Sequence, residues 1–182
     1  MEPIALLLLI PLLLGKKGSS SKRFNLPRYE PGSPEQIELF EAAAVHLGLP
    51  KSWASSSSFR TLLGKESGGW VGIPNYEFGE GITKKENQGQ WPAIWSHLRA
   101  GGDPPKGRGA TGLGQLVLTS ADRHYPDGRA GIGDPWNEAV GMLSYLNARW
   151  KSPDRAIECY KANSCFSGPG IDGYPPKGWN GY

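Results

Sequence analysis

Cysteine and histidine are scarce in this sequence of 182 residues. The only cysteines are Cys159 and Cys165, and the three histidines, His46, His97 and His124, lie far apart from one another. Two cysteines are too few for a disulfide scaffold, and no Cys/His group has the spacing of a zinc site. We therefore expect no metal centre, and the sequence leaves open whether Cys159 and Cys165 form a bridge.

The sequence also lacks a strong charge of one sign. Its formal net charge is +3, and the 20 Lys and Arg residues are scattered rather than gathered into a basic stripe. Binding to nucleic acid is therefore not indicated, because it usually requires a concentrated basic patch. A mildly basic surface suits an anionic polymer such as bacterial cell wall, or an anionic membrane face.

Long hydrophobic runs are absent except near Met1. Residues 4–14 are apolar throughout, with one proline, but they fall short of the about 20 residues that a straight membrane span requires. No positive charge precedes the run and no clean cleavage pattern follows it, which disfavours a removed signal peptide. We interpret residues 1–22 as a hydrophobic anchor or an uncleaved signal-like segment with a basic flank. The remaining alternative is a segment that packs on a partner such as a virion structural protein.

The rest of the sequence predicts one domain after a short linker. Residues 23–33 are interpreted as the linker and residues 34–182 as the domain, since one core commonly occupies about 100–150 residues. The 26 Gly and 16 Pro indicate long loops, and the 7 Trp and 7 Tyr offer aromatic surfaces on which sugar rings can stack. A single Trp or Tyr nevertheless belongs more often to a core.

Helices are predicted on both sides of a loop-rich region. The sequence S-P-E-Q at residues 33–36 combines an N-cap serine, a first-position proline and a glutamine that completes a capping box. Asp134 and Ser152 are likewise N-caps followed by proline. Residues 70–109 are rich in glycine, proline and aromatic residues, and are interpreted as a small hairpin or ordered-loop lobe with one helix near residues 92–99. The predicted fold class is α-rich α+β.

Glu66 is the candidate catalytic residue. Phe59, Leu62, Leu63 and Glu66 fall on one face of a predicted helix, so the carboxyl should point inward with the apolar side chains. Gly68 is expected to end the helix just beyond, where the helix dipole also disfavours a negative charge. Both effects raise a carboxyl pKa, as general acid cleavage of a sugar acetal near neutral pH requires. Taken alone, a glutamate at a helix end is most often a solvated surface residue.

A glycine-flanked glutamine turn lies well downstream of Glu66. Residues 111–115 read T-G-L-G-Q, in which the glycines, Gly114 among them, let the backbone approach a ligand closely. The amide of Gln115 offers a donor and an acceptor to an N-acetyl group or to the acid. Ser67 could orient the Glu66 carboxyl or cap the helix. By itself, G-x-G-Q is equally an ordinary turn.

Four motifs follow one another in a defined order. They are E-S-G at residues 66–68, A-T-G-L-G-Q at 110–115, a helix with Glu138 and Y-L at 145–146, and residues 156–160. Together they resemble the soluble lytic transglycosylase group of the lysozyme-like superfamily, and most of all its bacteriophage virion-associated members. The similarity covers about residues 59–163, and an ordered set is far more specific than any one motif.

This resemblance implies a lysozyme-like domain of two lobes and a cofactor-free enzyme that acts on peptidoglycan glycan strands. Glu66 would be the sole acid/base: it would protonate the oxygen between N-acetylmuramic acid and N-acetylglucosamine, then take the proton of the muramic 6-hydroxyl as a 1,6-anhydro ring closes. The family pattern implies that Gln115, with Ser67 and Gly114, lies beside the substrate. The family pattern also implies that Tyr160 lies beside the substrate, near Glu66 in the cleft.

The chain departs from the family pattern at three points. The stretch between Glu66 and the glutamine turn is unusually long, and we expect residues 76–109, with Tyr76, to form an extra substrate wall. The A-Y-N-A-G motif reads C-Y-K-A-N at residues 159–163, which keeps Tyr160 but leaves a substrate-contacting asparagine unassigned. The turn has glycine where methionine is common.

Two other functions remain open on the sequence. A muramidase of the same fold would use a second carboxylate to help water attack the sugar, and Glu77, Glu80 and Asp122 are candidates by sequence distance. A catalytically silent wall-binding or structural virion protein is the other alternative. A virion location reconciles a membrane-directed segment with a cell-wall substrate, because the enzyme would meet the host envelope at infection. A bacterial envelope or periplasmic location is the alternative.

Overall fold

The structure, a computed structural model, describes residues 24–105 and 109–162. The predicted anchor, residues 1–22, lies outside the described residues, and so does Cys165. Cys159 is buried on the last described helix and is not a free thiol. No helix within the described ranges is both long enough and apolar enough to cross a membrane.

Helices dominate the described part of the chain, with one small antiparallel sheet. The helices are α1 (Pro34–His46), α2 (Ser52–Ser55), α3 (Ser57–Glu66), α4 (Trp91–Arg99), α5 (Leu118–His124), α6 (Pro135–Trp150) and α7 (Pro153–Ala162). The strands are β1 (Ala110–Thr111) and β2 (Leu116–Val117), and short 3-10 helices cover Tyr76–Phe78, Lys85–Gln90 and Gly128–Gly131. The α-rich α+β prediction is confirmed.

The three predicted N-caps are confirmed. In each cap, the side-chain oxygen accepts a hydrogen bond from the backbone N–H three residues later. Ser33 accepts from Gln36 at 3.1 Å, Asp134 from Asn137 at 2.8 Å, and Ser152 from Arg155 at 3.1 Å. The capping box differs in one detail, because the Gln36 carboxamide oxygen accepts from Gly32 rather than from Ser33. Its nitrogen donates to the Ala54 carbonyl at 3.0 Å, so this buried glutamine ties α1 to α2. Neither α2 nor α5 was predicted.

Apolar side chains form a main core and two smaller clusters. The main core lies among α1, α3, α6 and α7, where Phe40 and Phe59 meet edge to face with ring centroids 4.7 Å apart. The smaller clusters are built from residues of α4, α5 and the loops around them, and Trp95 packs against both. The loop-rich region is therefore an ordered part of the domain that α4 attaches to the rest.

The hairpin lies at the glutamine turn rather than within residues 70–105, where the structure describes loops and helices but no strand. Ala110 pairs with Val117 and Thr111 with Leu116, on either side of the turn. A short stretch from Ile73 onward runs beside β1, since the Gly112 N–H donates to the Ile73 carbonyl at 2.9 Å. The glycines and prolines of the region make turns and do not provide the alternation that strands need.

The segment interpreted as a linker packs onto the domain. Phe24 and Tyr29 belong to the main core. The Tyr29 N–H donates to the Gly69 carbonyl at 2.8 Å, and the Val71 N–H donates to the Pro27 carbonyl at 3.0 Å. A Cβ on Gly69 would overlap the Tyr29 carbonyl oxygen, so the backbones of these two segments are in close contact here. Residues 24–33 thus support the loop that follows Glu66, although their composition is that of a spacer.

Candidate active site

Glu66 is the last residue of α3. The helix begins at an N-cap, Ser56, whose hydroxyl accepts from the Phe59 N–H at 3.1 Å. Phe59, Leu62 and Leu63 are buried as their spacing predicts, and Glu66, one turn further on the same face, is partly exposed. The carboxyl therefore lies where the apolar face of α3 reaches the surface.

The surroundings of Glu66 suit a proton donor. Burial raises its pKa from 4.5 to about 7, and the neighbouring ammonium of Lys65 lowers it. Desolvation disfavours the charged form of a carboxyl, and here it outweighs the attraction of an exposed lysine. The group is therefore partly protonated at neutral pH, where an ordinary glutamate is ionised.

Ser67 caps the end of α3. Its side-chain oxygen accepts from the Gly69 N–H at 3.1 Å and lies 3.4 Å from the Leu63 carbonyl oxygen. The residue is buried, and of the two roles considered for it, the described contacts are those of a helix cap. Ser67 thus fixes the point at which the chain leaves the helix, directly after Glu66.

The glutamine turn is tight and strained. The Gln115 N–H donates to the Gly112 carbonyl at 3.1 Å, and Gln115 has a φ of 46°, in the left-handed region that non-glycine residues seldom adopt. Its carboxamide nitrogen donates to the Ile73 carbonyl at 2.9 Å and to the Gly112 carbonyl at 3.1 Å. Both N–H bonds of the amide are thereby used, so a ligand meets the carboxamide oxygen as an acceptor. Gly114 lies so close to Met142 that a Cβ would be 2.9 Å from that side chain.

Glu138 connects the turn with the loop that follows Glu66. It is fully buried in the first turn of α6 and accepts three backbone hydrogen bonds, from Gly72 at 3.0 Å, Leu113 at 3.0 Å and Gly133 at 2.7 Å. Burial raises its pKa to about 7, while these hydrogen bonds lower it. Glu138 belongs to one of the four ordered motifs, but the resemblance implies no role for it.

Tyr160 lies on α7, which packs against α3. The ammonium of Lys65 lies 4.7 Å from the centroid of its ring, within the range of a cation–π contact. The structure therefore brings Tyr160 next to the residue that precedes Glu66. Tyr76 lies in the Tyr76–Phe78 helix with 59% of its surface exposed, while Phe78 turns toward the two smaller clusters.

The other candidate carboxylates are held differently from Glu66. Asp122 forms an ion pair with Arg129, which lowers the pKa of the carboxyl, and the guanidinium Nε donates to it at 2.9 Å. Glu77 lies 3.4 Å from the Asn75 amide nitrogen, and Glu80 is exposed. Within residues 24–105 and 109–162, no group of three or more His, Cys, Asp or Glu side chains is arranged to hold a metal ion.

No family model, curated protein or solved structure matches this chain. The chemistry of the site therefore rests on its own residues. It has one partly exposed carboxyl with a pKa near neutrality and a rigid turn with an amide acceptor, joined to the loop after Glu66 by a buried carboxylate. Such a set can donate and recover a proton, while the turn binds an N–H or O–H of a ligand.

Proposed function

We propose that the chain is a peptidoglycan lytic transglycosylase that cleaves the β-1,4 bond between N-acetylmuramic acid and N-acetylglucosamine. The observation that carries this proposal is the pKa of about 7 at Glu66, on a partly exposed helix end. A carboxyl with that pKa is partly protonated at neutral pH and can both release and regain its proton. One residue that serves first as acid and then as base needs that property.

The proposed reaction has two proton transfers and consumes no water. Glu66 gives its proton to the glycosidic oxygen, the bond from that oxygen to C1 of the muramic sugar breaks, and N-acetylglucosamine leaves with a free hydroxyl. The muramic 6-hydroxyl then attacks C1, and the ionised Glu66 takes its proton. The product has a 1,6-anhydro ring, and Glu66 is again protonated.

A lysozyme-like, two-lobed fold belongs to the same proposal. Two features support it: the main core among α1, α3, α6 and α7 is distinct from the two smaller clusters, and the glutamine turn adjoins both parts. Leu113 of the turn belongs to the main core, and Leu116 of β2 belongs to one of the smaller clusters. Glu66 and the turn would then line a cleft between the lobes.

Substrate contacts can be proposed for Gln115, Tyr76, Tyr160 and Lys65. Gln115 would accept from the N-acetyl N–H of a sugar, because both of its own N–H bonds are used. The exposed ring of Tyr76 offers a flat apolar face for sugar stacking, and Tyr160, with Lys65 over its ring, would lie beside the substrate. Lys65 would attract the carboxylates of the peptidoglycan, since it is exposed beside Glu66.

Product analysis separates the possible functions. Purified peptidoglycan is digested with the chain, and the released muropeptides are weighed. Anhydro products support the proposal, whereas products heavier by about 18 Da, the mass of one water, indicate a muramidase. A chain that binds the wall but releases nothing is a binding or structural protein. Glu66→Gln should abolish release, while Glu77→Gln, the matched control, should leave it unchanged.

We further propose that the enzyme is carried in a virion, associated with its membrane through residues 1–22, and acts on the host cell envelope. The apolar composition of residues 4–14 and the basic residues that follow support this location. Flotation with anionic lipid vesicles tests the anchor by comparing the full chain with one that lacks residues 1–22. Only the full chain should float, and equal behaviour of the two would refute the anchor.

A further inference from the structure

Glu138 takes no part in the proposed reaction, yet it is the most enclosed charged side chain of the described residues, with no exposed surface. A buried carboxylate is costly unless hydrogen bonds replace its water shell. Three backbone N–H groups do so here, and the first turn of α6 adds the favourable end of a helix dipole. A side chain used only for packing would not need this arrangement.

The three donors come from separate parts of the chain. Gly72 lies six residues after Glu66, Leu113 is the middle residue of the glutamine turn, and Gly133 belongs to the loop before α6. The turn packs tightly on the Glu138 carboxylate, because a Cβ on Gly112 would lie 2.5 Å from the carboxylate carbon, Cδ, of Glu138. Glu138 therefore joins the loop after the acid to the turn that faces the substrate.

Trp95 of α4 strengthens the same junction from the opposite side. Its indole N–H donates to the Gly72 carbonyl at 2.7 Å, so Gly72 is held by its N–H and by its carbonyl. The ring also lies 2.7 Å from where a Cβ on Gly133 would be. Two of the segments that bind Glu138 are thus covered by one indole ring.

We propose that Glu138 is a positioning residue that holds the loop after Glu66 and the glutamine turn at a fixed relative position. This inference rests on the proposed function, since the two segments carry the acid and the substrate acceptor. A carboxylate suits the task because its two oxygens can accept three N–H bonds at once. A glutamine has one acceptor oxygen, and its amide nitrogen would face an N–H donor.

The test compares Glu138→Gln with the unmodified chain on soluble, uncross-linked glycan strands. We expect kcat to fall about tenfold to a hundredfold and KM to rise, because Glu66 and the Gln115 acceptor are no longer held at a fixed relative position. Glu138→Asp keeps the charge but is one methylene shorter, and it should recover part of the loss. A folded Glu138→Gln chain with unchanged kcat and KM overturns the proposal.

Gln36→Met is the matched control. Gln36 is also fully buried and bonds backbone groups of two other segments, at Gly32 and Ala54, but it belongs to the α1–α2 contact. A variant that is only destabilised loses active fraction, which lowers kcat and leaves KM unchanged. Gln36→Met should behave in that way. A KM that rises equally in both variants would show that Glu138 has a general structural role and overturn the proposal.

Amide hydrogen exchange on the unmodified chain covers the case in which the Glu138 variants fail to fold. The N–H groups of Gly72, Leu113 and Gly133 should exchange at least about a hundredfold more slowly than unprotected amides, and with similar rates. Free exchange at Gly72 or Leu113 would overturn the proposal. Failure of the unmodified chain to cleave peptidoglycan would instead refute the proposed function, and the exchange result would still report on the junction.

Discussion

The pKa of Glu66 follows from where its helix ends. Three apolar residues of α3 are buried on the face that Glu66 continues, and Ser67 closes the helix immediately after it. The carboxyl is therefore desolvated without being enclosed. Glu138, with a similar pKa, has both oxygens bonded to backbone N–H groups and no exposed surface. Among the carboxyls of residues 24–105 and 109–162, only Glu66 combines a raised pKa with partial exposure.

The pH dependence of the reaction should report this pKa. Because Glu66 must start protonated in the proposed mechanism, kcat/KM should fall on the alkaline side with a midpoint near pH 7, the pKa that burial gives this carboxyl. Initial rates on soluble glycan strands between about pH 3 and pH 9 would measure it. An alkaline limb below about pH 5, as for an ordinary glutamate, would show that Glu66 is not the acid.

The same pKa should affect stability. A carboxyl whose pKa is higher in the folded state contributes stability that is complete below its unfolded value, 4.5, and is lost as the pH rises through about 7. Glu66→Gln should therefore be more stable than the unmodified chain at pH 8, by about 1–3 kcal/mol given the partial exposure, with no gain at pH 4. Urea unfolding at both values tests this, and a destabilised variant at pH 8 would contradict it. Because burial also raises the pKa of Glu138 to about 7, the stability of Glu66→Gln should still decrease somewhat as the pH rises.

Gly112 shows how closely the turn fits the buried carboxylate. Its φ is +79°, and Gly48, at the end of α1, has a similar φ of +67° but nothing within 4 Å of where a Cβ would be. Gly48→Ala should therefore cost about 1 kcal/mol, from backbone strain alone. Gly112→Ala should cost about 2–4 kcal/mol, because the methyl also displaces Glu138. Equal losses in urea unfolding would argue against the close fit.

At the level of elements, residues 24–31 and the hairpin hold the loop after Glu66 from two sides. The first segment bonds Gly69 and Val71, and the hairpin bonds Ile73. A loop fixed at several points keeps Glu66 in one position relative to the glutamine turn, which is what a positioned acid requires. The support is part of the site even though it supplies no reacting group.

Shortening the chain tests the support from residues 24–31. A chain that starts at Phe24 should unfold at the same urea concentration as the full chain. A chain that starts at Pro34 loses the buried side chains of Phe24 and Tyr29, so it should lose at least about 3 kcal/mol and most of its activity. If both shortened chains were equally stable and active, residues 24–31 would be a spacer after all.

The elements that the sequence predicted are those with strong local signals. N-caps at Ser33, Asp134 and Ser152 set helix starts that the structure confirms. The short helices α2 and α5 have no such combination of cap and proline. The packing of residues 24–33 depends on a close contact with Gly69, which no local pattern in the segment reveals.

The site was predictable in part for the same reason. Helix phase indicated the inward direction and raised pKa of Glu66, because both follow from neighbouring residues. The role proposed for Glu138 depends on hydrogen bonds from three loops, two of which, with Gly72 and Leu113, are distant from it in sequence. The sequence held one signal for this role. The residues of α6 that follow Glu138 are mostly apolar, and a carboxylate in such a run needs buried hydrogen-bond partners.

At the scale of the whole molecule, the described residues form a helical core and smaller clusters that meet at the glutamine turn. In the mechanism proposed for Glu66, the oxygen that completes the cleaved sugar comes from the substrate itself, through its own 6-hydroxyl. Hydrolysis would take that oxygen from water.

Digestion of peptidoglycan in water enriched in heavy oxygen isotope distinguishes these two sources directly. The unmodified chain should release 1,6-anhydro muropeptides that carry no heavy oxygen, and Glu66→Gln should release none. Heavy oxygen at the muramic reducing end would show that water attacks C1, and the ring-closing mechanism proposed for Glu66 would be wrong.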